Sequence, residues 1–224
     1  MISARVQHVG HERQPVIVID GFVPDPQALI DEAAGLEYAE IGAHYPGIRA
    51  GVPATRLQAF LPPIVGLVCS TFGCGTRLQV LEAYYSLVTT RPTALRPIQR
   101  LPHFDGLERG RIALLHFLST DHSSGTAFYR HRSTGFESVD AVRYPSFSAA
   151  VTRDAATHGV PEAAYISADT PMYEQIASFE GQFNRALIYR GHVLHCAQLP
   201  VGVSYSASPR VGRLTVNTFL MGVA

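Results

Sequence analysis

The sequence Gln99-Arg-Leu-Pro-His-Phe-Asp-Gly106 sets His103 and Asp105 two residues apart. Side chains two residues apart leave a strand on the same face, so an imidazole and a carboxylate converge on one point. A single His-x-Asp pair is weak evidence by itself, because such pairs occur by chance. Pro102 and Gly106 would also fit a turn at a strand edge. Further ligand residues elsewhere in the chain are needed before the pair indicates a metal site.

Those further residues lie far downstream, in Leu187-Ile-Tyr-Arg-Gly-His-Val-Leu-His195 and in Gly212-Arg-Leu-Thr-Val-Asn217. Two histidines and one carboxylate on strand-like segments form the ligand set of a non-haem ferrous oxygenase, which leaves positions open for co-substrate and dioxygen. His192 and His116 compete for the same role. His192 follows a glycine in a predicted turn, where a solvated histidine is favoured. His116 lies in an apolar strand, which favours a hydrogen-bonded core histidine.

The motif order resembles that of the iron(II)/2-oxoglutarate-dependent oxygenase superfamily, in the prolyl-hydroxylase-like arrangement, and more narrowly a bacterial branch of it. His103-x-Asp105 comes first, His195 follows 92 residues after His103, and Arg213-x-Thr215 comes last. The likeness spans roughly residues 80–220. The segments that carry it are Leu101–Gly106, Gly125–His131, Asn184–Gln198 and Gly212–Leu220.

The resemblance implies a mainly β fold with supporting helices, a double-stranded β-helix of the jelly-roll or cupin-like type. It implies iron(II) held by His103, Asp105 and His195, with 2-oxoglutarate and O2 as co-substrates. Arg213 would grip the distal carboxylate of 2-oxoglutarate with its guanidinium fork, and the Thr215 hydroxyl would add a further bond. The alternative for the arginine is a surface ion pair.

Two features depart from the family pattern. The gap of 18 residues between His195 and Arg213 is long, so Pro200–Val211 is predicted to be an inserted loop. Related hydroxylases often use a tyrosine on the strand after His-x-Asp to help bind the carboxylate, and Phe117, which has no hydroxyl, takes that place here. The open replacements are three tyrosines, of which Tyr85 is our working candidate: Tyr84, Tyr85 and Tyr129.

We predict one oxygenase domain over residues 1–224. Residues 1–76 would give an N-terminal strand and supporting helices, 77–132 and 183–224 the β-helix core, and 133–182 an insertion or lid near the active-site mouth. The predicted strands are Val16–Asp20, Arg77–Thr89, Arg111–Leu118, Thr126–Arg132, Arg185–Tyr189, Val193–Leu199 and Arg213–Met221. The predicted helices are Gln27–Leu36 with Asp25 as N-cap, Leu57–Phe72 interrupted or started at Pro62-Pro63, and Thr170–Phe179. Residues 42–53 are predicted to form a loop.

Charge is unevenly distributed in a chain whose formal net charge is zero, which argues against nucleic acid or an anionic membrane as partner. All 18 basic residues are arginine, and residues 91–132 hold seven of them against three acidic residues, an excess of four positive charges. This cluster favours an anionic ligand. Arg130 and Arg132 share one strand face and are candidate substrate-binding residues together with Asn217, which continues the face of Arg213. If Arg130 and Arg132 point outward, they form only a solvated face.

Three cysteines, Cys69, Cys74 and Cys196, are an odd number without metal-ligand spacing. Reduced thiols in the cytoplasm are the simplest interpretation. The N-terminus has no apolar signal segment, and no run reaches the roughly 18 apolar residues of a membrane span. We therefore expect a cytoplasmic protein with a small-molecule substrate and neither nucleic acid nor membrane as partner, with a homodimer as an open alternative.

The sequence thus predicts an iron(II)- and 2-oxoglutarate-dependent dioxygenase that hydroxylates a small anionic, amino-acid-like substrate. One rival keeps the metal but not the co-substrate: a cupin-like metal enzyme that does not use 2-oxoglutarate. The role of Arg213 separates the two. A second rival is a non-catalytic β-sandwich binding module in which His103, Asp105 and His195 are structural, and tight ferrous binding would argue against it.

Overall fold

The computed structural model describes residues 3–42, 44–120, 124–199 and 202–223 of the chain. Its strands are β1 Ser3–Val9, β2 Gln14–Asp20, β3 Gly47–Gly51, β4 Arg77–Val88, β5 Arg111–Phe117, β6 Gly125–His131, β7 Tyr173–Glu180, β8 Arg185–Arg190, β9 His195–Gln198 and β10 Leu214–Val223. Its α-helices are α1 Pro26–Ala34, α2 Ala54–Phe60, α3 Val65–Phe72 and α4 Tyr144–His158. Short 3-10 turns cover Pro62–Ile64, Pro92–Ala94 and Pro97–Arg100.

The strands form two antiparallel sheets. The major sheet has the order β1-β2-β8-β5-β10-β4-β3, and the minor sheet has the order β7-β6-β9. Neighbours such as β8 and β5 are far apart in sequence, so the sheets are built from long-range crossovers. The fold is a mainly β double-stranded β-helix with a few helices, as predicted.

Alternation along the central strands explains how the major sheet is covered on both faces. On β5, Ile112 and Leu114 belong to the apolar cluster that contains α1, α2 and α3, whereas Ala113, Leu115 and Phe117 pack between the two sheets. A strand buried on both faces must be apolar at successive positions, which is why β5 and β8 have continuous apolar sequences. The inner face of this sheet is therefore the wall against which any internal site is built.

Helices α1, α2 and α3 pack on the outer face of the major sheet, whereas Phe147 of α4 packs in a cluster with Tyr129 of the minor sheet. The Asp25 carboxylate accepts a hydrogen bond from the backbone N–H of Ala28 (3.0 Å), which confirms the predicted N-cap of α1. Proline has no N–H to continue a helix, so the pair Pro62-Pro63 separates α2 from α3, as predicted. No helix within the described ranges has the length and apolar character needed to cross a membrane.

Two predicted elements are wrong, and two elements of the structure were not predicted. Residues 47–51 form strand β3 instead of a loop; Gly47 is required there because a Cβ would lie 1.9 Å from the Leu87 carbonyl of the neighbouring strand. The predicted helix Thr170–Phe179 is instead strand β7, which pairs with β6 from Gly125↔Glu180 to His131↔Tyr173. The helix of this region is α4, and strand β1 was not predicted.

Candidate metal centre and anion pocket

The segment that carries His103 runs beside β9 and extends the edge of the minor sheet by one bridge. His103 and His195 exchange two backbone hydrogen bonds of 2.8 Å each. The backbone N–H of Asp105 donates to the carbonyl of Gly191 at 2.6 Å. Residues 103–105 are thereby held against the end of β8 and the start of β9, so backbone pairing positions the three predicted ligands.

The structure brings the side chains of His103, Asp105 and His195 together. One potential ligand atom from each lies within 4.8 Å of the others. The Nε2 atoms of His103 and His195 are 3.8 Å and 3.6 Å from the two carboxylate oxygens of Asp105, and the imidazole centroids are 4.5 Å apart. These separations suit two imidazoles and a carboxylate on one side of a shared metal ion.

Hydrogen bonding leaves the correct atoms free for a metal. The Nδ1–H of His195 donates to the Val193 carbonyl at 2.9 Å, which leaves the lone pair of Nε2 available. The enclosing walls and the His195 imidazole lower the pKa of His103 well below its ordinary value, although 47% of its side-chain surface opens to the cavity. His103 is therefore neutral, as a ligand must be.

Asp105 is the buried carboxylate of the group. Burial raises its pKa, while His195 and Arg49 oppose that shift. Its Oδ2 atom is buried and has no hydrogen-bond partner. An unsatisfied buried carboxylate oxygen between two imidazoles costs free energy, and a cation bound there would offset that cost. The donor set thus fits a divalent transition metal.

Arg213 lies in the same cavity as these residues, immediately before β10. Only 4% of the residue is exposed, its Nη2 donates to the Gly125 carbonyl at 3.0 Å, and its Nε has no partner. Its guanidinium carbon is 5.6 Å from the centroid of the Phe117 ring, the residue that takes the place of the tyrosine expected from the resemblance. Burial lowers the pKa of Arg213, and the hydroxyl of Tyr45 opposes that shift. No carboxylate among the described residues pairs with this buried guanidinium.

Two further cavity residues, Tyr45 and Arg49, were missed by sequence reasoning. The Tyr45 hydroxyl and the Arg49 Nε are both buried without a hydrogen-bond partner. Burial raises the pKa of Tyr45, and the guanidinium groups of Arg213 and Arg49 oppose that rise. A strand was indicated here by the alternation of Ile48, Arg49 and Ala50. The glycines on either side of these residues led instead to the prediction of a loop.

Thr215 and Asn217 lie on the inner face of β10, as their spacing predicts. Asn217 lines the cavity, whereas Thr215 is fully buried and its hydroxyl donates to the Asn217 side-chain oxygen at 2.7 Å. The hydroxyl of Thr215 therefore orients the amide of Asn217, which is the one of the two that reaches the cavity.

The structure places Tyr85 away from the cavity, so its predicted contact with the co-substrate is wrong. Tyr85 belongs to the outer core beneath the helices, and its hydroxyl donates to Glu32 at 2.7 Å. Its neighbour Tyr84 points to the inner face, where its ring faces Arg49, because successive strand residues alternate. Tyr129 packs in the cluster around α4.

Arg130 and Arg132 also lie outside the cavity, which removes them as candidates for substrate binding. Arg130 is paired with Glu137 (2.8 Å) and Glu174 (2.7 Å), and Arg132 with Asp169 (2.7 Å). The acidic partners come from residues 133–182, so the local excess of positive charge is neutralised by a segment outside the range in which it was counted.

The two competing histidines are not in the metal group. His116 is fully buried and its Nε2–H donates to the Asn184 side-chain oxygen at 3.0 Å, which is the predicted core role. His192 is buried, with only 6% of the residue exposed, so the predicted solvated turn role is wrong. It lines a separate polar depression with Asp140 and Arg143.

Solved structures with the same fold cover nearly the whole chain at low identity. HygX from Streptomyces hygroscopicus, with nickel, 2-oxoglutarate and hygromycin B bound, has a TM-score of 0.57 at 10% identity over 95% of this chain and 84% of HygX. SnoN, a non-haem α-ketoglutarate-dependent epimerase of nogalamycin biosynthesis, has a TM-score of 0.53 at 12% identity over 94% of this chain and 79% of SnoN.

SnoK, a non-haem α-ketoglutarate-dependent carbocyclase of the same biosynthesis, has a TM-score of 0.50 at 13% identity, over 94% of this chain and 81% of SnoK. The predicted resemblance to the iron(II)/2-oxoglutarate-dependent oxygenases is therefore confirmed at the level of the fold. No curated protein matches the chain. A family model matches residues 1–220, and by that match the protein belongs to DUF6445, a family of unknown function.

Proposed function

We propose that this protein is an iron(II)- and 2-oxoglutarate-dependent oxygenase that acts on a small molecule. One observation carries the proposal: the His103–Asp105–His195 group shares a cavity with Arg213, a buried guanidinium that has no carboxylate partner among the described residues. The cavity offers a three-ligand metal site and, beside it, a receptor for a carboxylate. A metal enzyme that does not use 2-oxoglutarate has no need of the second feature.

Each residue has a separable role in this proposal. His103, Asp105 and His195 would hold iron(II) on one face and leave the opposite positions open. Arg213 would bind the distal carboxylate of 2-oxoglutarate through its free Nε edge. The Tyr45 hydroxyl, near both cavity arginines, would donate the further bond for which Tyr85 was the earlier candidate. When bound, iron(II) supplies the activation of dioxygen that couples decarboxylation of 2-oxoglutarate to oxidation of the substrate.

The printed functions of the structural neighbours support the co-substrate. HygX binds 2-oxoglutarate together with nickel or with nickel and hygromycin B, and SnoN and SnoK are described as α-ketoglutarate dependent. Those two neighbours are an epimerase and a carbocyclase, so the fold accommodates several oxidative outcomes. We propose hydroxylation of a C–H bond here; Asp105 would supply the carboxylate ligand that halogenating relatives lack, which favours hydroxylation over halogenation.

Turnover of 2-oxoglutarate tests this function. Protein reconstituted anaerobically with iron(II) and then exposed to O2 should form equal amounts of succinate and CO2. His195→Ala should abolish that formation, and the exposed-surface change His158→Ala should not. Binding of 2-oxoglutarate to the metal-loaded protein is measured in parallel. A protein that binds iron(II) but neither binds nor consumes 2-oxoglutarate would contradict the proposal.

A further inference from the structure

Arg49 is a second guanidinium in the cavity, and the proposed co-substrate does not account for it. It lies in the middle of β3, and its guanidinium carbon is 4.0 Å from the centroid of the Tyr45 ring and 5.3 Å from that of Tyr84. Its Nε is buried without a partner, and it makes no ion pair with any described carboxylate. The aromatic rings cover the faces of the guanidinium and leave its N–H edges for an acceptor.

The strand register places Arg49 on the same wall as the co-substrate pocket. Arg49 pairs with Ser86 on β4, and Ser86 pairs with Thr215 on β10. Directly paired residues point to the same face of a sheet, so Arg49 shares the inner face with Thr215 and with Arg213 two residues before it. Arg49 lines the same cavity as Asp105; burial lowers the pKa of Arg49, and Tyr45 and then Asp105 oppose that shift.

Several other arginines among the described residues differ from Arg49 in having acidic partners. Arg130 meets two glutamates, Arg185 meets Asp20 and Arg143 meets Glu12. A buried guanidinium that lacks such a partner is costly, and the two cavity arginines are the ones for which an external anion would remove that cost. Arg49 therefore has the character of a binding residue and not of a structural ion pair.

Charge decides the class of ligand. The charged side chains that line the cavity are Arg49, Arg213 and Asp105, besides neutral or titratable histidines. An iron(II) ion, these three side chains and dianionic 2-oxoglutarate together leave one positive charge. A single carboxylate would neutralise it, whereas a phosphate dianion would leave an excess negative charge in a low-dielectric site.

We propose that Arg49 binds a carboxylate of the substrate and so selects monoanionic carboxylates over their neutral analogues. This inference rests on the proposed function, since it assigns Arg213 to the co-substrate and leaves Arg49 to the substrate. A guanidinium edge can donate two parallel hydrogen bonds to the two oxygens of one carboxylate, which fixes the orientation of the bound molecule as well as its affinity. The anionic substrate predicted from Arg130 and Arg132 loses that basis, because both are paired with acidic residues outside the cavity, and this proposal rests on Arg49 instead.

The test compares carboxylates with their primary amides. Phenylacetate, hexanoate, benzoate and N-acetylglycine, each with its amide, are titrated calorimetrically into protein loaded with redox-inert nickel(II) and 2-oxoglutarate. In the wild type, at least one carboxylate should bind about tenfold more tightly than its amide. Arg49→Gln should bring that ratio to about one, and Arg49→Lys should restore part of it.

The affinity for 2-oxoglutarate itself supplies the discriminating control. It should change by less than about threefold in Arg49→Gln, because the two anions occupy separate sites. Arg56→Gln is the matched arginine control, since Arg56 pairs with Glu32 on the helix side of the sheet; it should leave both measurements as in the wild type.

Three results would overturn the inference. They are a wild type that prefers no carboxylate over its amide, a preference that survives Arg49→Gln, and an Arg49→Gln variant that loses 2-oxoglutarate instead. If the wild type binds nickel(II) but no 2-oxoglutarate, the proposed function fails. The carboxylate–amide comparison on protein loaded with nickel(II) alone then still decides the role of Arg49.

Discussion

His103 and His195 exchange two backbone hydrogen bonds of 2.8 Å each, although 92 residues separate them in the chain. This bridge holds the two imidazoles side by side, with their Nε2 atoms 3.8 Å and 3.6 Å from the two carboxylate oxygens of Asp105. The ligand geometry therefore depends on strand pairing more than on the side chains themselves. Substitution of a ligand side chain should empty the metal site without disturbing the pairing that builds it.

The first prediction concerns metal binding. His103→Ala, Asp105→Ala and His195→Ala should each lower the affinity for iron(II) more than about a hundredfold, since each removes one of three protein ligands. The wild type should bind one equivalent, as measured by elemental analysis after anaerobic reconstitution. His158→Ala, at the exposed end of α4, should retain the wild-type metal content. Equal iron content in all four variants would remove the metal site from the account.

The second prediction concerns Arg213. Arg213→Gln should weaken binding of 2-oxoglutarate to the nickel(II) protein by about 2 kcal/mol or more, because it removes a charge-assisted contact in a buried site. Arg213→Lys should recover only part of that loss, because lysine offers a point charge in place of a fork. Arg210→Gln is the control three residues away, where an exposed arginine pairs with Asp31. Unchanged calorimetric affinity in Arg213→Gln would favour an enzyme that does not use 2-oxoglutarate.

The third prediction separates two tyrosines. Tyr45→Phe should weaken the binding of 2-oxoglutarate about fivefold to tenfold, since it removes a neutral hydrogen-bond donor from the pocket. The metal content should not change. Tyr85→Phe should leave that affinity unchanged and lower the free energy of unfolding by about 1 kcal/mol, since Glu32 loses a donor. Calorimetry and urea unfolding distinguish the two effects. The reverse assignment, with affinity lost in Tyr85→Phe, would mean that the side-chain orientation on β4 is wrong.

The fourth prediction concerns acid stability. Burial lowers the pKa of His116 to about 4, so the unfolded chain binds a proton at this residue before the folded protein does. The contribution of neutral His116 to the free energy of unfolding is therefore fully present above about pH 6.5, near the pKa of histidine in the unfolded chain. It falls as the pH drops from there to about 4, by up to about 1.4 kcal/mol per pH unit.

His116→Gln keeps an amide donor toward Asn184 but does not titrate, so its unfolding free energy should fall less steeply across the same pH window. Urea unfolding of both proteins at a series of pH values measures the two slopes. Parallel curves for the wild type and the variant would show that His116 is not the titrating group. His192, whose pKa is also lowered to about 4, adds a slope common to both proteins.

The sequence predicted an element or a site residue correctly where the local residue pattern allows one structure and the side-chain chemistry is consistent with it. The apolar runs of β5 and β8 require burial on both faces, and Pro62-Pro63 must interrupt a helix. His103, Asp105, His195 and Arg213 were found because their order and chemistry match a known ligand set. A loop before β10 was also predicted, over Pro200–Val211; residues 202–213 contain neither helix nor strand, and residues 200 and 201 lie outside the described residues.

Most of the errors have two causes: a glycine that is required inside a strand, and the alternation of side chains between the two faces of a strand. Gly47 and Gly51 indicated a loop, yet Gly47 is there because the Leu87 carbonyl leaves no room for a Cβ. That error hid β3 and, with it, Arg49 and the adjacent Tyr45. The choice of Tyr85 over its neighbour failed because a shift of one residue moves a side chain to the opposite face of the sheet.

Long-range ion pairing explains the remaining error. Counting charges between residues 91 and 132 gave an excess of arginine, but Arg130 and Arg132 are neutralised by Glu174 and Asp169 from β7 and the loop before it. Charge along the sequence does not show which charges meet in space. Arg49, outside the counted cluster, faces the cavity together with Arg213, and neither has an acidic partner among the described residues.

Anaerobic visible absorption of the iron(II) protein during titration with 2-oxoglutarate tests the central claim most directly. Chelation of the keto-acid by iron(II) in this site should give a weak charge-transfer band that saturates at one equivalent per chain. The band should be absent in His195→Ala and require much more 2-oxoglutarate in Arg213→Gln. An iron-loaded wild type that develops no band at saturating 2-oxoglutarate would contradict the assignment of the cavity to iron(II) and 2-oxoglutarate.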